Sequence, residues 1–288
     1  MLTSFTELMQ GAQKGKYAVG AINFSYRQCG VAAVRAAEEL GVPLILEYAN
    51  AHSDYASLEE VAPQMLELAR NASVPVGVHL DHGSSLEQCV KAIRLGFTSV
   101  MIDASAQSFE ENVAITKEVV RVAHSVGVGV EAELGHMTSA AEGSLEGGSS
   151  STDINDLYTQ PDEAAEFARL TGVDALAICF GTQHGIYAST PVLNLDRVAE
   201  IRAKTNVALV MHGGSGVTPE DFRKAIHNGI NKINYYTYMA MAGGDAAAEY
   251  VDNTRKAGGK LFFHDLALAS QNAMEANAKS ALAVFNGK

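Results

Sequence analysis

Short apolar runs rich in β-branched residues alternate with longer helical patterns along this chain, and the alternation repeats eight times. The strand-like runs are Tyr17–Phe24, Pro43–Tyr48, Val76–Leu80, Ser99–Ile102, Gly127–Glu133, Ala175–Phe180, Ala208–Met211 and Lys232–Tyr236. Between them lie helical patterns at Arg27–Leu40, Leu58–Asn71, Leu86–Leu95, Phe109–Ser125, Asp162–Leu170, Leu195–Ala203 and Pro219–His227. Several of the short runs are apolar on both faces, as parallel strands covered by helices are. Gly41, Gly96, Gly127, Gly172 and Gly229 precede the next run and predict helix ends. Eight strand–helix units without a compositional break predict one α/β domain over residues 1–288, a (β/α)8 (TIM) barrel rather than a doubly wound sheet. Beyond Thr237 the chain reads as helical, with an extra C-terminal helix around Leu266–Val284. The stretch Thr138–Thr152, rich in Ser, Gly and Ala, follows the fifth strand. It predicts a long loop on the face where barrel active sites sit, in the position of a lid.

Three apolar segments end in histidine followed by glycine: the ones reaching His82-Gly83, His184-Gly185 and His212-Gly213. Each predicts a buried strand that delivers an imidazole at its C-terminal end, where glycine lets the backbone turn away. Three histidines from three strand ends are the ligand set of an open zinc site, with a fourth position left for water or substrate. Asp81 precedes His82 in sequence, and strict strand alternation would point the two to different sides. It fits either a general base beside the metal or a helix N-cap. His79 reads as a barrel-interior histidine hydrogen-bonded to a neighbour. Glu131 and Glu133 place two carboxylates inside one strand, which is costly unless they face a polar interior or a cation. Glu133, nearer the strand end, is the candidate for the metal neighbourhood. The loop Gly213-Gly-Ser-Gly216 and the segment Asn234-Tyr-Tyr-Thr237 follow the last two strands, where barrels often hold phosphate.

The formal net charge of −12 and the absence of any basic run argue against nucleic-acid or anionic-membrane partners. Cys29, Cys89 and Cys179 are far apart in apolar contexts and read as buried, reduced thiols. No signal-peptide pattern opens the sequence and no apolar run is long enough to span a bilayer, so a cytoplasmic protein is expected.

His-Leu-Asp-His-Gly, Glu-Ala-Glu-Leu-Gly, Gly-Thr-Gln-His-Gly-Ile-Tyr, His-Gly-Gly-Ser-Gly and Lys-Ile-Asn-x-x-Thr follow one another in this chain. In order and spacing they resemble the class II, zinc-dependent ketose-bisphosphate aldolases of the fructose and tagatose branches. The resemblance implies that His82, His184 and His212 bind one zinc per subunit, with a monovalent cation as an additional candidate. It implies that Asp81 is the catalytic acid/base, that Glu133 and Asp103 lie by the metal, and that Asn23 contacts substrate. Gly185, Gly213, Ser215, Asn234 and Thr237 match the site for the phosphate of dihydroxyacetone phosphate. Glu142 falls near the position of a glutamate on the family's mobile loop. The implied reaction is the reversible cleavage of a ketose 1-phosphate, or a ketose bisphosphate, by a homodimer or homotetramer.

The chain departs from the family in two places. Ala188 and Ser189 stand where a phosphate-binding lysine is expected, and Tyr236 stands where the fructose branch has aspartate and the tagatose branch alanine. Tyr236 predicts a reshaped substrate pocket. For the arginine that binds a distal phosphate, only Arg255 is at hand. A Schiff-base aldolase would need a lysine near a strand's C-terminal end, and Lys232 reads as the start of its strand. Two other functions fit a metal-bearing barrel. A zinc hydrolase usually has a His-x-His pair after the first strand, and Ala21–Phe24 has none. A non-catalytic sugar-phosphate binder would have no reason to keep Asp81 beside three histidines.

Overall fold

The computed structural model describes residues 1–135, 138–139, 158–186 and 191–288. Eight parallel strands close on themselves. They are β1 (Val19–Asn23), β2 (Leu44–Ala49), β3 (Val76–Gly83), β4 (Ser99–Ile102), β5 (Gly129–Leu134), β6 (Ala175–Ile178), β7 (Ala208–Met211) and β8 (Ile230–Tyr235). Each pairs with its neighbours in sequence, and β1 also pairs with β8, so the sheet has no edge. Every strand predicted from the sequence is present; Ser99–Ile102 and Ala208–Met211 coincide with β4 and β7, and the others differ by a few residues at one or both ends. Around the barrel run α2 (Arg27–Leu40), α3 (Leu58–Asn71), α4 (Leu86–Leu95), α5 (Phe109–His124), α6 (Pro161–Thr171), α7 (Leu195–Lys204) and α8 (Pro219–Asn228), preceded by α1 (Phe5–Gly15). Gly41, Gly96 and Gly172 end α2, α4 and α6 at positive φ, as expected of C-cap glycines. The C-terminal extension is two helices, α9 (Thr237–Lys256) and α10 (Phe263–Phe285). None of the described helices is long and apolar enough to cross a membrane.

The period-2 alternation of the strands sorts the barrel interior into layers. Val19, Ala21, Ile45, Ala175, Ala177, Ala208 and Val210 form an apolar lower cluster with Phe5, Leu8, Met9 and Ala12 of α1. Helix α1 is thus a plug across the N-terminal end of the barrel, and Leu2 bridges to Val76 at the start of β3. This helix is not among those predicted from the sequence, although Ser4 and Glu7 form a capping box at its start. Room for the plug is made by missing side chains: a Cβ at Gly129 would lie 2.8 Å from the ring of Phe5. Above this layer the inward positions change character. Glu47, His79, Glu131 and Lys232 come first, then Asn23, Asp81, Glu133, His212 and Asn234 toward the C-terminal mouth, and all are buried.

Candidate active site and metal centre

The three predicted histidines meet at the mouth. Their ring centroids lie 5.0 Å (His82–His184), 4.8 Å (His82–His212) and 5.8 Å (His184–His212) apart. One potential ligand atom from each falls within 4.8 Å of the others. Each arrives differently. His212 follows β7 directly, as expected. His184 does not end β6, which stops at Ile178; it comes from a two-residue strand with Gln183 that pairs with 138–139. His82 lies inside β3 with φ of +49°, in the left-handed region. That backbone kink corrects the expectation that Asp81 and His82 point apart. Both side chains turn into the site, with His82 Nε2 3.9 Å from Asp81 Oδ1.

The outer nitrogens of two of these rings are held by carboxylates. His82 Nδ1 lies 2.8 Å from Asp103 Oδ2, and the other oxygen of Asp103 accepts from the backbone and hydroxyl of Ser105. His212 Nε2 lies 2.8 Å from Glu131 Oε1. A carboxylate can only accept, so each of those nitrogens carries the hydrogen and the lone pair sits on the inner nitrogen. His82 Nε2 and His212 Nδ1 then face each other at 3.1 Å. Two lone pairs at that separation repel unless a proton or a cation lies between them. His184 Nε2 and Glu133 Oε2 are also buried without a hydrogen-bond partner among the described residues, and Glu133 Oε2 is 3.5 Å from His212 Nδ1. This donor set fits a divalent metal of the zinc type, because imidazole nitrogens with carboxylate backing are borderline-soft ligands.

The surrounding field points the same way. Burial alone would lower the His82 imidazolium, but Asp81 and the hydrogen bond to Asp103 outweigh it and push its pKa up to about 10. Burial, reinforced by His82, pulls His184 down to about 4 and holds His212 well below the usual imidazole range. Glu133 is pushed well above the carboxylate range by burial and by the nearby Asp103. One positive charge is therefore welcome among the three rings, and a second proton is not.

Asp81 is clasped from two sides. Asn234 Nδ2 donates to its Oδ1 at 3.0 Å and Asn23 Nδ2 to its Oδ2 at 3.4 Å. Burial would raise its pKa, but His82, His212 and Lys232 bring it down to about 2, so it is ionised at neutral pH. Above Asn23 and Asn234, at the rim, Ser25 donates to the phenolic oxygen of Tyr236. The ring of Tyr236 lies 4.9 Å from His52, a residue given no role by the sequence reading. Ser215 Oγ accepts from Tyr236 N–H at 3.3 Å, which ties the β7–α8 loop to the end of β8. Gly213 has φ of +65°, and a Cβ there would lie 2.3 Å from the carbonyl oxygen of Gln183. Thr237 opens α9, whose start has no side-chain cap. Gly185 follows His184 directly and is exposed. His79 is a buried interior histidine bonded to Ser99 at 2.9 Å, as expected.

Two sequence expectations differ from the described structure, at Arg255 and Lys232, and others fall outside it. Glu142, with most of the Thr138–Thr152 stretch, lies outside the described residues, as do Ala188 and Ser189. Arg255 sits in the last turn of α9, 18 residues beyond Thr237 and so about 27 Å along the helix, and is not brought to the site. Lys232 is not at the start of β8 but two residues into it and wholly buried, 2.9 Å from Glu131 and 3.4 Å from Glu47. It is the cation that Glu131 was expected to face. A lysine in an apolar strand opposite a Glu-Ala-Glu strand was the available signal.

Known proteins resemble this chain over nearly its whole length. The family model for class-II fructose-bisphosphate aldolase matches residues 3–288. A fructose-bisphosphate aldolase of Staphylococcus aureus is 40% identical over 260 residues, covering 88% of each chain. That of Geobacillus stearothermophilus is 41% identical over 246 residues, covering 84% of this chain and 83% of its own. Among solved structures, the YdjI aldolase from Escherichia coli K12 superposes with a TM-score of 0.86 at 35% identity, over 99% of this chain and 97% of its own. A match of that extent, on a barrel with these residues at its mouth, places the chain in the class-II fructose-bisphosphate aldolase family and makes it an aldolase, a carbon–carbon lyase.

Proposed function

We propose that the protein is a zinc-dependent aldolase that reversibly cleaves a ketose 1-phosphate to dihydroxyacetone phosphate and an aldehyde. The observation that carries the metal is the 3.1 Å approach of His82 Nε2 to His212 Nδ1, with both outer nitrogens held by carboxylates. His82, His184 and His212 would hold zinc, with Glu133 beside it. Bound there, zinc supplies Lewis acidity at the donor's oxygens, worth several kcal/mol to a carbanion-forming reaction. The protein's own groups do the rest. Asp81 has about four lone-pair positions, of which the two asparagine amides occupy two. The remaining positions accept the proton of the hydroxyl on the carbon released as aldehyde, and return it in the condensing direction. The uncapped start of α9 at Thr237, with Gly185 and the Gly213–Gly216 loop around Ser215, suits the donor's phosphate.

The acceptor end is where the relatives' names do not carry over directly. Tyr236 follows the last residue of β8, two residues beyond Asn234, packs on His52, and its phenolic oxygen accepts from Ser25. With neutral residues at 188 and 189, this favours an aldehyde without a second phosphate. The test is release of dihydroxyacetone phosphate by zinc-loaded protein from a panel of ketose 1-phosphates and ketose 1,n-bisphosphates. Turnover of the monophosphates with the higher kcat/KM is expected. Cleavage of no member of the panel would overturn the function, and preference for bisphosphates would overturn the substrate class.

A further inference from the structure

We propose that Lys232 is a positioning residue that aims both the catalytic carboxylate and one metal-binding imidazole, through two different neighbours. The proposal rests on the aldolase reading above. Lys232, Glu47 and Glu131 are each 0% exposed, below the mouth and out of reach of substrate. An ammonium has three N–H donors, and Lys232 Nζ has three accepting side chains around it. Nζ donates to Asn234 Oδ1 at 2.7 Å and to Glu131 Oε1 at 3.2 Å, and lies 2.9 Å from Glu131 Oε2 and 3.4 Å from Glu47 Oε2 as ion-pair contacts.

Two of these acceptors lead to the reacting groups. Glu131 uses the same oxygen that Lys232 hydrogen-bonds, Oε1, to accept from His212 Nε2 at 2.8 Å, which leaves His212 Nδ1 as the nitrogen facing His82 and Glu133. Asn234 uses its amide nitrogen to hold Asp81 Oδ1 at 3.0 Å. The orientation of that amide is decided by Lys232. Turned over, it would set its NH2 against an ammonium and its oxygen against the Asp81 carboxylate, two repulsions in place of two hydrogen bonds. One buried charge thus fixes which nitrogen of His212 is free and which end of Asn234 meets Asp81. Stability alone does not ask for it, since a buried ion pair exchanged for apolar side chains of similar volume is often neutral or stabilising. Burial penalises the ammonium, but Glu131 and Glu47 overcompensate and hold it charged.

The two arms can be separated experimentally. Lys232→Met removes both, and Lys232→Met combined with Glu131→Gln removes one cation and one anion together, so net charge is unchanged, while keeping an amide oxygen for His212. Zinc affinity is measured by chelator competition, cleavage by steady-state kinetics, and folding by thermal melting. For Lys232→Met, zinc affinity is expected to fall about 10- to 100-fold and kcat about 100-fold, with KM changed by less than about threefold. For the double variant, affinity is expected to return to within about threefold of wild type while kcat stays at least about tenfold down, because Asn234 is still released. If Lys232→Met does not fold, the charge-balanced double variant carries the test. Wild-type values for affinity and kcat in a folded Lys232→Met protein would overturn the proposal. So would full recovery of kcat in the double variant, which would reduce Lys232 to charge balance. A wild-type protein that binds zinc but cleaves no ketose 1-phosphate would overturn the function instead, and the affinity arm would still decide on Lys232.

Discussion

Single residues set the chemistry here by departures from the regular pattern of their element. His82 at positive φ brings two consecutive side chains of β3 to one side of the sheet, which an extended strand forbids. Nothing in the local sequence announces that kink; only the need of Asp81 and His82 to share a site does. Tyr236 is the second departure. It follows the last residue of β8, packs on His52 and takes the hydroxyl of Ser25, so its ring is held in place rather than free to swing aside. Tyr236→Ala would remove that ring and open the acceptor end while leaving Asp81 and the donor-phosphate loops alone. The kcat/KM ratio of a bisphosphate to the matching monophosphate is expected to rise by about 10-fold or more, in keeping with the 1–3 kcal/mol that a reshaped apolar contact contributes to discrimination. An unchanged ratio would show that Tyr236 does not bound the acceptor.

At the scale of the elements, the plug α1 deserves comparison with the eight strands. The strands were legible because a parallel strand covered by helices must be apolar on both faces, and helix-ending glycines punctuate the units. The plug was not, because its apolar positions Phe5, Leu8, Met9 and Ala12 point into a barrel end that only tertiary closure creates. Phe5 stacks on His79 with ring centroids 5.6 Å apart, and Gly129 is bare of a side chain where Phe5 enters. Within the plug, the ring of Phe5 therefore lies directly beneath the buried layer of Glu47, His79, Glu131 and Lys232. Phe5→Ala would leave a cavity there and is expected to lower stability by about 3–5 kcal/mol. Chemical denaturation should show this as a lower midpoint with an unchanged slope. A loss below about 1 kcal/mol would mean the neighbouring side chains collapse into the space and that α1 is not a packed part of the core.

Across the whole molecule, the site joins parts of the chain that sequence patterns could only align one by one. The histidines were readable because three similar strand ends shared a His-Gly signature; Asp81 and Asn234 followed once their motifs were placed in order. Glu47 and Ser25 were not readable in those roles, since each acquires its partner from a part of the chain distant in sequence: Glu47 meets a lysine 185 residues later. The same distribution would make the proposed metal binding a property of the fold. His82, His184 and His212 come from β3, from the short strand after β6, and from the end of β7. An unfolded chain cannot present them together, and in the folded chain a bound cation removes the repulsion between His82 Nε2 and His212 Nδ1. Binding to the native state alone at about 1,000 times the dissociation constant stabilises by about 4 kcal/mol. At about 2 °C per kcal/mol for a chain of this size, zinc is expected to raise the melting temperature of chelator-treated protein by about 8 °C. Magnesium, which prefers an octahedral oxygen shell, is expected to leave it unchanged. Differential scanning calorimetry with each metal decides the matter. A melting temperature indifferent to zinc would mean that the three imidazoles share a proton rather than a metal, and the Lewis-acid part of the proposed reaction would have to be abandoned.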